Sequence, residues 1–290
     1  MKYECIELSV ENTVATLELA RPDKMNSLND QILIDMQHAL DMLENDTGVR
    51  VLIITGQGRA FCAGFDLAPR AKPFTSVQDW RGHVKLGNDT WWRIWKSRLP
   101  VIAAVNGFAL GGGCDLSMVC DYTLASETAV FGEPEIQFQS APPFNITPWI
   151  MGMKSAKEFL LFGDRVSAQD AVRLGIANRV VPADRLRAEA MNTALRLAKL
   201  PPPAVELNKL GLNRSYEMRG FQPAIEYGAE IFTQVLMSES DEAREFFERM
   251  GRDCTMIPAT ITSLPFRRPS SEPISTAFNS FRRPANLSSG

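Results

Sequence analysis

Histidine is nearly missing from this 290-residue chain, which has only His38 and His83. Two imidazoles exclude a multi-histidine metal site and make a Ser-His-Asp triad a poor expectation. Cysteine is sparse and odd in number: Cys5, Cys62, Cys114, Cys120 and Cys254 show no paired ligand spacing. Reduced thiols are therefore expected rather than disulfides or zinc, and metal sites none. No apolar run approaches the roughly 18–20 residues that cross a bilayer, and the start Met1-Lys2-Tyr3-Glu4-Cys5 lacks the apolar stretch of a signal peptide. A soluble, cytoplasmic protein without a membrane partner is the expectation. Positive charge is not in excess either; the net charge of −3 gives no reason to expect nucleic acid. What is present, 45% hydrophobic and 22% charged residues, suits a globular protein with a sizeable core.

Periodicity organises the chain. Ile6, Leu8 and Val10, then Val14, Ala15, Leu17 and Leu19, alternate about Glu11-Asn12 as a β-hairpin. Ser27 or Asn29 can cap a helix carrying Ile32, Leu33, Met36, Leu40 and Leu43. Val49 to Thr55 and Val101 to Val105 read as buried parallel strands, Phe61 to Gly64 as a short strand or turn, and Tyr122–Ala125 and Ala129–Phe131 as further short strands. Helices are expected over 77–98 and 114–120, then over 154–163, 167–174, 183–199, 202–218 and 220–250. Strands with crossover helices followed by helices alone give an α/β core with a helical C-terminal part, which suits packing on neighbouring subunits. Residues 254–290, with Arg267-Arg268, Arg282-Arg283 and many prolines and serines, lack apolar periodicity and read as a disordered tail, with a basic docking segment as the alternative.

The strand–glycine–helix unit from Val101 to Cys120, with Gly111-Gly112-Gly113 at its turn, admits three readings. It can be a helix N-terminus whose free N–H groups hold anionic oxygen, a nucleotide-binding turn, or close packing of strand on helix. A dinucleotide fingerprint fits poorly, because Gly56-Gln57-Gly58 is followed by Phe61 where a third glycine belongs. A second tight segment, Ala63-Gly64-Phe65-Asp66-Leu67, ends another short strand. Two such turns can present two N–H groups to one carbonyl oxygen, which is an oxyanion hole.

The segments Arg21-Pro22-Asp23-Lys24-Met25-Asn26-Ser27-Leu28, Ala60 to Leu67, Pro100 to Gly107, Leu110 to Leu116, Phe131-Gly132-Glu133-Pro134-Glu135 and the run Ala168 to Pro182 make the pattern specific. With them the sequence resembles the enoyl-CoA hydratase/isomerase (crotonase) superfamily. The resemblance covers about residues 6–253 in family order. It implies a crotonase-like spiral of ββα units with a C-terminal helical oligomerisation region. The spiral would occupy residues 1–195 and the helical trimerisation region 196–253, ahead of the 254–290 tail. A homotrimer or dimer of trimers and an acyl-CoA substrate, in fatty acid metabolism, are implied too. Coenzyme A would arrive as part of the substrate, with no other cofactor. By position, the oxyanion N–H groups would belong to Phe65 and Gly112, and CoA contacts to Lys24, Met25, Ala63, Gly64, Asp66, Leu67 and Ala68.

Two N–H groups on a thioester oxygen make Cα acidic and Cβ electrophilic, so a catalytic acid and base must choose the reaction. Asp115 and Glu135 occupy the family's paired carboxylate positions, whereas Glu133 reads as a solvent-facing loop acid. Asp115 on its own can also be read as a first-turn acid favoured by the helix dipole. A typical hydratase has glutamate at both positions; Asp115 is shorter by one methylene, roughly 1–1.5 Å of reach. Asp followed by Glu also resembles the dienoyl-CoA isomerase branch, but that branch's further Asp corresponds to Pro143 here. The family's glycine-rich segment appears as Gln139-Ser140-Ala141-Pro142-Pro143-Phe144-Asn145-Ile146, which replaces flexible backbone with rigid walls. Trp91, Trp92 and Trp95, with Pro143 and Phe144, are candidates for an acyl pocket suited to a cyclic or branched group, against a reading of the tryptophans as packing. The resemblance thus implies hydration of a 2-enoyl-CoA to a 3-hydroxyacyl-CoA with Glu135 and Asp115 as acid and base. The alternatives are double-bond isomerisation with Glu135 as proton shuttle, another reaction of the superfamily such as hydrolysis or carbon–carbon cleavage, and a catalytically silent acyl-CoA-binding protein.

Overall fold

The opening alternation forms the expected hairpin: β1 (Ile6–Glu11) pairs antiparallel with β2 (Val14–Leu19). In the computed structural model, the described residues are 2–67 and 76–238, with Ser240, Glu242 and Glu245. After the hairpin, α1 (Asp30–Asn45) is capped by Asn29, whose side chain accepts the Ile32 N–H at 3.0 Å. Its apolar stripe, Ile32, Leu33, Met36, Ala39, Leu40 and Leu43, faces the main core.

Three turns of a spiral follow. The first is β3 (Val51–Gly56), β4 (Ala60–Cys62) and α2 (Val77–Lys96). The second is β5 (Val101–Val105), β6 (Phe108–Leu110) and α3 (Gly112–Val119). The third is β7 (Tyr122–Ser126) and β8 (Val130–Gly132), closed by a 3₁₀ turn at Pro134–Phe138 and by α4 (Thr147–Ile150) and α5 (Met153–Phe162). The chain then runs through β9 (Val166–Ser167), α6 (Ala168–Leu174), β10 (Arg179–Val181), α7 (Leu186–Ala198), α8 (Pro202–Met218) and α9 (Phe221–Met237). The first strand of each turn joins a six-stranded sheet of order β1-β2-β3-β5-β7-β10, and the second joins a four-stranded sheet of order β4-β6-β8-β9. Only β1 and β9 run antiparallel to their neighbours. This is the expected α/β spiral of ββα units. β3 and β5 are buried along their whole length, which is why they read as continuous apolar runs.

Several elements depart from the sequence reading. β6, β9, β10 and α4 span only two to four residues each, too short to carry a period. The glycine-run helix begins at Gly112, two residues before Cys114. α7 starts at Leu186 after a 3₁₀ turn, and it passes through the boundary expected at 195/196: Ala190, Ala194 and Ala198 pack against Val14, Ile53, Ile102 and Leu124 of the large sheet. The helix expected over 220–250 is described to Met237, and the tail at 254–290 lies outside the described residues. No described helix is long and apolar enough to cross a membrane. Cys5, Cys62, Cys114 and Cys120 are buried free thiols; Cys254 lies outside the described residues.

Candidate active site

Three parallel strands of the small sheet end side by side, and each hands on to a segment singled out above. β4 is followed by Gly64-Phe65, β6 by Gly111 and α3, and β8 by Glu133 to Glu135. The register Leu110↔Gly132 sets the last two abreast, and the Gly111 N–H donates to Gly132 O at 2.8 Å. Clustering of chemistry at the carboxyl ends of parallel strands follows from this geometry, because every strand points its outgoing loop the same way.

The first segment is held by an isolated parallel bridge between Leu28 and Phe65. The Leu28 N–H donates to Gly64 O at 2.8 Å and the Asp66 N–H to Leu28 O at 3.0 Å. In a parallel ladder those bonds leave the N–H of the intervening residue, Phe65, on the opposite side. Gly64 has φ +90°, and a Cβ there would sit 2.8 Å from Leu110 O and 3.4 Å from the Gly112 nitrogen. The two turns therefore touch. Gly112 is the first residue of α3, whose early N–H groups have no intrahelical acceptor. The Phe65 ring lies over Gly87 of α2, packing edge-on against His83 with ring centroids 5.3 Å apart.

The carboxyls form the other wall. Asp115, in the first turn of α3, is completely buried, and neither of its oxygens has a hydrogen-bond partner among the described residues. Asp115 does stand in the first turn of α3, where the helix dipole favours an acid, and it does so in full burial. Glu135 is buried on the turn after β8, against the open face of Gly111. Gly111 has φ +52°, and a Cβ there would collide with Glu135 Oε1. Burial pushes the Glu135 carboxyl up to about 7, partly offset by its own backbone N–H and by Glu133. Burial first, and the Glu135 charge second, hold Asp115 well above the usual carboxylate range. Both carboxyls therefore hold a proton more tightly than a free acid does.

Glu133 corrects the sequence reading. It is not a solvent-facing loop acid: it is 1% exposed, with neither oxygen at ordinary hydrogen-bond geometry to any described residue. No local pattern carried that signal, because β8 ends at Gly132 and Pro134–Phe138 form a 3₁₀ turn, so no strand alternation runs through these residues.

The CoA candidates converge only in part. Lys24 is exposed and Met25 buried on a turn tied to Ala63, whose N–H donates to Met25 O at 3.0 Å. Sequence reasoning passed over Asn26, which organises that turn. Fully buried with φ +56°, it donates from Nδ2 to Gln57 O and Ala60 O at 2.9 and 2.8 Å. Asparagine tolerates this left-handed backbone, which is the signal that could have marked it. The side chain of Asp66 is engaged by the Arg21 guanidinium at 3.1 Å, so it braces the turn. Ala68 lies outside the described residues.

The tryptophan candidates are also corrected. Trp91 is wholly inside the core. Trp92 packs on Phe144 and Phe221 with centroids 5.4 and 5.7 Å apart, while Trp95 stacks on Phe221 at 4.5 Å and donates to Glu217 at 3.0 Å. This aromatic cluster ties α2 to the 144 loop, α8 and α9. A cleft of about 740 Å³ that Trp92 borders lies between α1, α2 and α9, and none of Phe65, Gly112, Asp115 or Glu135 lines it. His83 and Gly87, not Trp92 and Trp95, are the α2 residues against the Phe65 ring. Pro143 accepts a bond from Asn88 at 3.1 Å and Phe144 is fully buried, so the segment replacing the family's glycines is pinned in place.

Comparison with known proteins identifies the family. The family described as Enoyl-CoA hydratase/isomerase matches residues 9–252. Among relatives, the chain is 33% identical over 255 residues to the short-chain-enoyl-CoA hydratase of Clostridium acetobutylicum, covering 86% of this chain and 97% of that protein. It is 38% identical over 221 residues to the crotonyl-CoA hydratase of Syntrophomonas wolfei, covering 75% and 84%. The crystal structure of an enoyl-CoA hydratase/isomerase from Xanthobacter autotrophicus Py2 superposes with a TM-score of 0.85 at 38% identity, over 91% of this chain and all of that one. A spiral whose three strand ends bring two glycine turns against buried carboxyls, matched over nearly its whole described length, places this chain in the enoyl-CoA hydratase/isomerase family.

Proposed function

We propose that this protein hydrates 2-enoyl-CoA thioesters to 3-hydroxyacyl-CoA. The observation that carries the reading is the meeting of the Gly64-Phe65 and Gly111-Gly112 turns beside two buried carboxyls, Asp115 and Glu135. The Phe65 and Gly112 N–H groups hold the thioester oxygen, and so stabilise the enolate as charge develops there. The water oxygen adds to Cβ and its proton passes to the ionised carboxylate of the pair. The protonated carboxyl gives its proton to Cα. One proton is taken and one given, so the pair needs no other acid.

Lys24, Met25, Ala63, Gly64 and Leu67 form the edge that receives the CoA portion. Hydration by this route calls on no metal or redox cofactor. Exposed apolar side chains on the C-terminal helices, Leu207, Leu210 and Leu212 on α8 and Tyr227 on α9, fit assembly as a homotrimer or a dimer of trimers.

Crotonyl-CoA tests the reading. Purified protein is expected to remove the enoyl-thioester absorbance and yield the 3-hydroxy thioester. Migration of a 3-enoyl double bond without water uptake, and no hydration, overturns it in favour of isomerisation through Glu135 alone.

A further inference from the structure

Two glycines bracket the Phe65 ring, and neither is there for its backbone. Gly87 lies inside α2 and Gly112 opens α3, and neither has the positive φ that favours glycine. Glycine inside a helix weakens it relative to alanine, so Gly87 answers to something outside its own helix. The ring is what it meets. A Cβ on Gly87 would sit 2.8 Å from Phe65 Cζ and 3.1 Å from Cε1, and a Cβ on Gly112 would sit 2.9 Å from Cε2 and 3.1 Å from Cδ2. Gly82, earlier on α2, has nothing within 4 Å of the same position, so the crowding belongs to this place and not to the helix. His83, one turn before Gly87, meets the ring edge-on, and its Nδ1 lies 3.3 Å from Asp30 Oδ1 at the start of α1.

We propose that the Phe65 side chain is a spacer that holds the two oxyanion donors at one separation, and that Gly87 is the positioning residue that seats it. This rests on the reading of the Phe65 and Gly112 N–H groups as donors to a single thioester oxygen. The Phe65 backbone is fixed by its bridge to Leu28. Its ring then reaches across to the residue that carries the other donor, and α2 blocks its retreat on the far side. Leu28 closes on Gly112 as well, 3.1 Å from the same Cβ position. One side chain thus links the backbone of the first donor to that of the second. Both donors must stand about 2.7–3.1 Å from the oxygen as charge develops, and an error of about 1 Å there can cost on the order of 10²-fold. Gly87 acts on the reaction through the ring, without holding a reacting atom itself.

A pair of offsetting substitutions tests this. Gly87→Ala is expected to lower kcat on crotonyl-CoA by about 10–100-fold with KM within about threefold, because the new Cβ pushes the ring onto Gly112. Gly82→Ala, in open space on the same helix, is expected to leave kcat within about twofold. Phe65→Leu keeps the N–H but withdraws the ring tip, and alone is expected to lower kcat roughly tenfold. Joined to Gly87→Ala it makes room for the new Cβ, and the double variant is expected to recover at least about fivefold over Gly87→Ala. Rescue of that sign marks a shared slot; losses that multiply in the double variant overturn the proposal, as does an unchanged kcat in Gly87→Ala. Should Gly87→Ala not fold, Phe65→Leu decides, and a kcat within about twofold of wild type overturns the spacer. The donors are also read without hydration. Bound acetoacetyl-CoA reports its enolate by an ultraviolet band, which is expected to weaken in Gly87→Ala and return in the double variant. A wild type that raises this band but hydrates no enoyl-CoA loses the hydratase reading alone, and the band then decides what the ring does. One that does neither loses both.

Discussion

Asp35 and Asp115 are both buried aspartates on helices, and they are treated in opposite ways. Asp35, on α1, accepts the N–H groups of Glu4 and Cys5 at 2.9 and 2.7 Å and the Gln31 side chain at 2.8 Å. Asp115, on α3, accepts nothing from the described residues. The first fastens the start of the chain to α1, and its burial is offset by those three hydrogen bonds. The second is left unsatisfied at the meeting point of three strand ends, a cost that a fold tolerates where a ligand will complete the bonding. The difference separates the acids that hold the fold from those available for chemistry, and Glu133 and Glu135 fall with Asp115.

The largest break in this comparison is made at Glu135. Glu135→Gln keeps the shape but removes the charge, and is expected to lower the hydration rate by about 10²–10⁴-fold, the range for a positioned acid–base group. Asp115→Asn is expected to fall in the same range. Both proteins are expected to keep the wild-type circular dichroism spectrum and melt cooperatively. A glutamine variant retaining more than about a tenth of the activity would remove Glu135 from the acid–base couple.

Gly111→Ala probes the same wall by sterics. The new Cβ would demand the space of Glu135 Oε1 from a residue at φ +52°. Displacing a catalytic group by about 1 Å can cost on the order of 10²-fold. The loss is expected in kcat more than in KM, because Gly112, the proposed donor to the thioester oxygen, is unchanged. Steady-state rates against crotonyl-CoA separate the two; a rise in KM alone would mean that Glu135 had not moved.

How much of this was legible in the chain depended on what kind of feature encoded it. The buried strands and amphipathic helices announced themselves through runs and stripes such as Val51–Gly56 and Ile32 to Leu43, because burial is written as composition. The two glycine turns and the pair Asp115 and Glu135 were legible as motifs at fixed spacing. Glu133 was not, because nothing local distinguishes a buried acid from a solvated one; its burial comes from α3 and the neighbouring strand end. Trp91, Trp92 and Trp95 misled for a related reason. Helical position put them on the element beside the site, but the face turned to Phe65 carries His83 and Gly87. β6 was too short to leave a period, yet its three residues are what align the two glycine turns with the carboxyls.

At Asp35 the expected effect is on stability and not on rate. Asp35→Ala strands the two backbone donors at Glu4 and Cys5 along with Gln31, and is expected to cost roughly 1–3 kcal/mol of unfolding free energy. With the site intact, kcat/KM is expected to stay within about twofold of wild type, since stability and transition-state binding draw on different contacts here. Denaturant unfolding and hydration assays on the same preparation check both halves. A large loss of rate without loss of stability would erase the distinction between the two aspartates.

The effect of pH on Asp115 is read from its sign. Asp115 holds its proton more tightly folded than unfolded. As pH rises past the ordinary carboxylate range, the unfolded chain releases that proton while the folded protein keeps it, so unfolding becomes steadily more favourable. Each pH unit in this window removes up to about 1.4 kcal/mol per such group, until the folded carboxyl itself ionises. Asp115→Asn has no proton to lose, so its melting temperature is expected to fall less between pH 5 and pH 8 (an interval of about three such units) than that of wild type. A carboxyl whose folded pKa is depressed acts in the reverse sense and at lower pH, its gain in stability being complete before this window begins. An equal or steeper decline in Asp115→Asn would mean that Asp115 has already released its proton in the folded protein.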